Sequence, residues 1–137
     1  MKKRILVTGG AGFIGSNFCN LNKDRYEIIA LDNLFLGDKK NLNPDIRFFL
    51  GDASSEDDLK KIGPVDIVLH LAGTSSAPMF LENPRRAYLN SIESFLTTLQ
   101  WSQKTGVQKF LYASTSSLYG NNPLPLVETQ SVTPPNH

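Results

Sequence analysis

The sequence predicts an α/β fold built on a doubly wound parallel sheet, and three observations carry that prediction. Short apolar strand patterns alternate with helical patterns along the chain. The almost wholly apolar run Val65–Leu71 suits a strand covered on both faces. The first strand pattern breaks into a turn with glycines at 9, 12 and 15, then resumes as an apolar helix. Repeated βα units imply right-handed crossovers and helices on both faces, with about five strands in the order 3-2-1-4-5.

Each element has its own warrant. Arg4–Thr8 is the first strand, and Ile14, Phe18 and Leu21 mark the helix behind it at i, i+4, i+7. Tyr26–Leu31 is the second strand, ending at Asp32, and a broken polar connection (Asn33–Asp45) follows. Ile46–Leu50 reads as the third strand, and Ser54 or Ser55 caps a brief helix, Glu56–Ile62, closed by Gly63-Pro64. After the Val65–Leu71 strand, Asn83-Pro84 supplies an N-cap and a proline at the first helical position. That helix runs to about Lys104 with Tyr88, Ile92, Phe95, Leu96 and Leu99 in one stripe, and Gly106 stops it. Lys109–Ser114 is the fifth strand, and a tail with prolines at 123, 125, 134 and 135 ends the chain.

Bulk properties narrow the function. A chain of 137 residues suits one domain, and its 40% hydrophobic and 20% charged content is that of a soluble globular protein. A net charge of +1 gives no electrostatic case for nucleic acid or an anionic membrane. Any anion is therefore gripped locally. The lone Cys19 excludes an internal disulfide framework or a cysteine-based metal site, and its helix position suits a buried small hydrophobe. The longest apolar run falls short of the roughly 18 residues of a membrane span. Met-Lys-Lys-Arg opens the chain, but the apolar run stops after Val7, so no signal peptide is expected and the cytoplasm is the default.

The glycine turn carries the chemistry. Directly after a strand, glycines allow a tight turn, room for a pyrophosphate and close helix–strand contact, while the helix aims its free N–H groups at phosphate. A dinucleotide site is the expectation. Asp32 lies 17 positions after Gly15, where a carboxylate accepts from adenosine ribose hydroxyls and repels a 2′-phosphate. Asn33 follows it rather than an arginine, which favours NAD over NADP. Asp52, after the third strand, suits either an adenine contact or a helix-capping acid. His70, at the fourth strand's end, is expected to be a packed structural residue, while Ala72 and Gly73 leave space for a cofactor. Four hydroxyls, Ser114 to Ser117, sit where a substrate would meet the fifth strand.

Taken together, Thr8-Gly9-Gly10-Ala11-Gly12-Phe13-Ile14-Gly15-Ser16, Leu31-Asp32-Asn33-Leu34, Gly51-Asp52, His70-Leu71-Ala72-Gly73, Asn90 and the hydroxyl run ending Tyr119-Gly120 resemble the extended short-chain dehydrogenase/reductases. The resemblance is to their NAD-dependent nucleotide-sugar epimerase/dehydratase group, and Leu31–Leu42 resembles UDP-sugar 4-epimerases and UDP-glucuronate decarboxylases. It implies a Rossmann-type domain over residues 1–137, with NAD as cofactor, a UDP-sugar as substrate and no metal. Gly9, Gly12, Phe13, Ile14 and Gly15 would hold the pyrophosphate, Asp32 and Asn33 the adenosine ribose, and Asp52 with Ala53 the adenine. Leu71, Ala72, Gly73 and Asn90 would line the path to the nicotinamide, and Thr115 matches the family's catalytic hydroxyl.

Departures from the family pattern sharpen the expectation. Ser116 and Ser117 stand where 4,6-dehydratases carry an Asp-Glu pair, which argues against dehydration. Ser94-Phe95 replaces a common Gly-Thr. The family's general base is the tyrosine of Tyr-x-x-x-Lys; tyrosines 26, 88, 112 and 119 have no lysine four residues later, and the chain stops at Val132–His137 where that motif would approach. The resemblance thus reads the chain as the N-terminal part of a 4-epimerase, without its sugar-nucleotide domain, as a natural fragment or a shortened chain. Such a piece would bind NAD weakly and not turn over sugar. The alternatives are a non-catalytic dinucleotide-binding module and a decarboxylase or related oxidoreductase. An uncovered apolar stripe would favour a homodimer through helix 84–104.

Overall fold

The computed structural model describes residues 1–75 and 77–132. Five parallel strands form one sheet in the order β3-β2-β1-β4-β5: β1 (Arg4–Thr8), β2 (Glu27–Asp32), β3 (Arg47–Leu50), β4 (Ile67–His70) and β5 (Lys109–Tyr112). β1 is central, with Thr8 in register with Leu31 on one side and His70 on the other. Strand order reverses between β1 and β4, so the loops after these strands diverge and leave a crevice at their carboxyl ends.

Alternation along the strands divides the core. Leu6, Ile29, Leu31 and Val68 face α2 (Glu56–Ile62) and the long helix through Leu59, Ile62 and Trp101. Ile5, Val7, Ile28 and Ala30 face the other way, onto Cys19 of α1 (Phe13–Asn22). Cys19 is a free thiol that burial pushes up to about 12, so it packs rather than reacts.

β1 has the bounds its pattern predicts, β2 is shifted by one residue, and the other three strands are shorter than their apolar patterns. Tyr26 donates its N–H back to Asn22, so β2 starts at Glu27, while β3 starts at Arg47. β4 covers only Ile67–His70, and β5 ends at Tyr112 as an edge strand among the described residues, two residues before Ser114. Ser55, not Ser54, caps α2 by accepting from Asp58 N–H at 3.2 Å. The Asn33–Asp45 connection contains one 3-10 turn, Lys39–Asn41. A short helix, α3 (Ala77–Glu82), precedes the long α4 (Pro84–Thr105) and had no apolar period to announce it. Pro134 and Pro135, like the rest of 133–137, lie outside the described residues.

Both predicted stripes are only partly buried: Phe18 packs on the core and Phe95 on His70 and Phe110, while the other large members face solvent or are half-buried. In α1, Ile14 and Leu21 are 64% and 83% exposed, and the helix buries Gly15, Ser16 and Cys19 instead. Small residues let its axis approach the strands closely, which large ones would prevent. In α4 the buried face is Ala87, Ser94, Thr98, Trp101 and Ser102, while Tyr88, Ile92 and Leu96 remain exposed. Thr98 and Ser102 are tolerated inside because their hydroxyls donate to the carbonyls of Ala53 and Thr98.

Candidate functional site

Each expected site residue lines one cleft of about 1030 Å³ at the carboxyl end of the sheet, Asn90 from α4 and the rest from the strand ends and the segments that follow them. Gly9, Gly12, Phe13, Ile14 and Gly15 form its floor beside β1; Asp32, Asn33, Asp52 and Ala53 form one bank; Leu71, Ala72, Gly73, Asn90 and Thr115 form the other.

The three glycines serve different masters. Gly9 has φ +68°, and a Cβ there would meet the Leu71 carbonyl carbon at 2.8 Å. A Cβ on Gly15 would overlap the Gly9 carbonyl oxygen. Both are demanded by the fold itself. Gly12 is different: its φ of −73° and ψ of 176° suit any residue, and a Cβ would meet only Gly9 O, at 3.3 Å. Internal packing asks far less for a bare Cα at Gly12, which faces the cleft, than at Gly9 or Gly15. Gly12 also offers α1 no side-chain cap, so the first-turn amides are left for an external acceptor, and no acidic residue occupies that turn. A bound phosphate fits this cradle.

Asp32 fastens the floor to its own bank. It is 8% exposed; Oδ2 accepts from Ala11 N–H at 2.9 Å and Oδ1 from Leu34 N–H at 2.8 Å. Each oxygen keeps a lone pair for a ribose hydroxyl. Leu34 pays for this turn with a left-handed φ of 59°, a strain of about 1–2 kcal/mol. Asn33 accepts from Phe35 N–H and donates to Asp52 Oδ2 at 3.1 Å, while Asp52 Oδ1 accepts from Ser54 N–H and Oγ. Burial alone would raise the Asp52 pKa, but the hydrogen bonds from Ser54 and Asn33 outweigh it and hold the carboxyl below its usual range. Asp52 is thus a turn-holding acid that also reaches the cleft.

On the other bank, Thr8 is the hub. Its Oγ1 accepts from both Leu71 and Ala72 N–H at 3.2 Å, which leaves its proton for His70 Nδ1 at 2.9 Å. His70 is thereby the neutral Nε2–H tautomer, packed against Phe95 and Phe110. Burial lowers its pKa to about 4. The expectation of a structural histidine agrees with this environment. Thr115 Oγ1 accepts from Ser117 N–H at 3.2 Å, capping a 3-10 turn at Ser116–Tyr119. Of the four expected hydroxyls only those of Ser114 and Thr115 line the cleft; the turn takes Ser116 and Ser117 off its wall.

Sequence reasoning missed Phe35, Leu36, Thr74 and Ser91, which also line the cleft. Phe35-Leu36 is an apolar pair inside a polar connection, a signal that was there to use. Ser91 Oγ accepts from Thr74 N–H at 3.1 Å, a contact between distant segments that leaves no local pattern. Among the described residues no His, Cys, Asp and Glu cluster is able to hold a metal ion, and no helix is long and apolar enough to cross a membrane.

Comparison with known proteins now decides the family. The model described as "NAD dependent epimerase/dehydratase family" matches residues 5–137. The chain belongs to the NAD dependent epimerase/dehydratase family. Within it, the chain is 35% identical over 132 residues to UDP-glucuronic acid decarboxylase 1 of Xenopus tropicalis, covering 95% of this chain and 30% of that protein. The solved UDP-glucose 4-epimerase of Thermotoga maritima with UDP-glucose is similar at a TM-score of 0.84 and 36% identity, over 96% of this chain and 45% of that one. The Thermus thermophilus UDP-glucose 4-epimerase complex with NAD gives 0.83 and 32%, over 96% and 44%. The chain spans less than half the length of the curated relatives it matches.

Two predictions follow from the geometry. Gly15→Ala will lower the thermal midpoint strongly, whereas Gly12→Ala will cost less than about 1 kcal/mol and yet impair dinucleotide binding, as thermal melts and titration calorimetry will show. For His70 the unfolded imidazole titrates near 6.5 and the folded one near 4. Between these values the unfolded chain holds the extra proton, so stability is full above pH 6.5 and falls toward pH 4. The slope, at most about 1.4 kcal/mol per pH unit, will be absent from His70→Asn in urea melts.

Proposed function

We propose that these residues form the NAD-holding, N-terminal domain of a nucleotide-sugar 4-epimerase. The single observation that carries this is Gly12, a position where the fold demands glycine far less than at Gly9 or Gly15, facing the cleft at an uncapped helix start. In this reading the amides of Phe13, Ile14 and Gly15 grip the pyrophosphate, Gly12, whose own N–H donates to Gly9 O at 3.2 Å, leaves it room, and Gly9 keeps the turn tight. Asp32 and Asn33 take the adenosine ribose, and Asp52 with Ala53 borders the adenine. Leu71, Ala72, Gly73 and Asn90 line the nicotinamide side.

Bound there, NAD supplies reversible acceptance of a hydride from a sugar carbon. The chain's own contribution at that end is Thr115. Because its oxygen accepts from Ser117 N–H, its O–H is left to donate to a sugar oxygen in the cleft. The general base and the sugar-binding groups belong, in this reading, to sequence beyond these residues, since no tyrosine here has a lysine four positions on. A UDP-glucuronate decarboxylase is the second reading, favoured by the 35% identity to the Xenopus enzyme. A homodimer through the exposed face of α4 and a cytoplasmic location complete the proposal. The exposed Tyr88, Ile92 and Leu96 support the first, and the single buried, unpaired cysteine agrees with the second.

Titration calorimetry tests the cofactor reading. NAD will bind, and NADP will bind roughly tenfold more weakly, because its 2′-phosphate meets the Asp32 carboxylate. Equal affinities, or no binding by the folded chain, will refute it.

A further inference from the structure

The loop after β2 is held by a contact that the cradle does not need. Beyond the strained Leu34, the Phe35 ring lies under the Arg86 guanidinium, 4.8 Å from its centroid. Phe35 follows Asp32 and Asn33 on one bank of the cleft; Arg86 stands on α4, one turn before Asn90 on the other. Phe35, Thr74 and Asn90 line both the cleft and a side chamber of about 130 Å³, whose wall includes Arg86 and Glu82. The stack therefore joins the two banks across the mouth of the cleft.

Helix energetics do not account for Arg86. It sits in the first turn of α4, where a cation opposes the helix dipole and no acidic residue offsets it. Among the described residues its guanidinium makes no ion pair, Glu82 included. What it does have is an aromatic face. The same loop is tied at its far end, where Asp38 N–H donates to Ala11 O at 3.1 Å and Gly37 packs on Ala11 so closely that a Cβ would meet its carbonyl carbon at 2.8 Å. The segment 33–38 is thus a strap anchored by Ala11 at one end and Arg86 across the opening.

We propose that Arg86 and Phe35 are positioning residues, a latch that holds this strap over the adenosine half of the dinucleotide and sets how long it stays bound. The inference rests on the NAD reading above. Release of the nucleotide then requires the stack to part, so the latch acts on dissociation more than on association.

Stopped-flow release of NADH from the chain tests it, with nucleotide fluorescence as the signal. Arg86→Ala and Phe35→Leu will each raise the dissociation rate about two- to five-fold, the worth of an exposed cation–π contact. The double variant will release no faster than either single one. Phe35→Tyr, which keeps the ring face, will behave as the parent, and so will Arg85→Ala, which removes an equal charge next door. Additive single effects, a Tyr variant as fast as the Leu variant, or an Arg85→Ala effect matching Arg86→Ala will overturn the latch alone. A folded parent chain that binds no NADH will overturn the cofactor reading and the latch with it.

Discussion

One carboxylate organises the functional end of this molecule. Asp32 stands at the last position of β2, and its two oxygens take the amides of Ala11 and Leu34, one from each of two loops. An ionised acceptor makes these bonds shorter and stronger than neutral ones. Together with Gly10 N–H, which donates to Leu31 O at 3.2 Å, they tie the glycine turn to the end of β2 and its loop. With them, Ala11 becomes a fixed point: its carbonyl accepts from Asp38 N–H and from Asn41 Nδ2, and Gly37 rests against it. The floor and one bank of the cleft are therefore a single hydrogen-bonded piece.

Thr8 does for the other bank what Asp32 does for this one. A hydroxyl that accepts two amides and donates to a neutral imidazole binds the end of β1 to the loop after β4. The cost is a buried histidine that must stay uncharged, which makes the site sensitive to acid although His70 touches no reacting atom in the proposed chemistry. Gly9 and Gly15 tighten the same junction by letting main chain meet main chain. Gly12 is the least constrained of the three by the fold, and such a position is where a ligand's requirements become visible.

Sequence patterning made the sheet order legible because each strand is apolar on both faces and each crossover is local in sequence. Most of the expected cleft residues were legible for a related reason: they lie on or just after a strand end, so locating the strands located them, whereas Asn90 stands on α4 and came from the family resemblance. Burial within the helices was not legible. Ile14, Leu21, Tyr88 and Ile92 repeat at helical spacing, yet the sheet is met by Ser16, Cys19, Ser94 and Thr98, because close approach rewards small side chains over apolar ones. Helix α3 escaped notice because six residues hold too little period to read. The Phe35–Arg86 stack joins positions 51 residues apart, and a contact of that range leaves no mark in local sequence.

The central claim is that the amides of the opening helix turn, and not another part of the surface, receive a dinucleotide's phosphates. Backbone amide NMR during an NAD titration tests this most directly. The account predicts saturable shifts at Gly12, Phe13, Ile14 and Gly15, smaller ones at Leu34 and Phe35, and none at Arg4, Glu27 or Asp66 at the opposite, amino-terminal ends of the strands. Shifts confined to those amino-terminal ends, with the amides of the glycine turn unmoved at saturation, would contradict it.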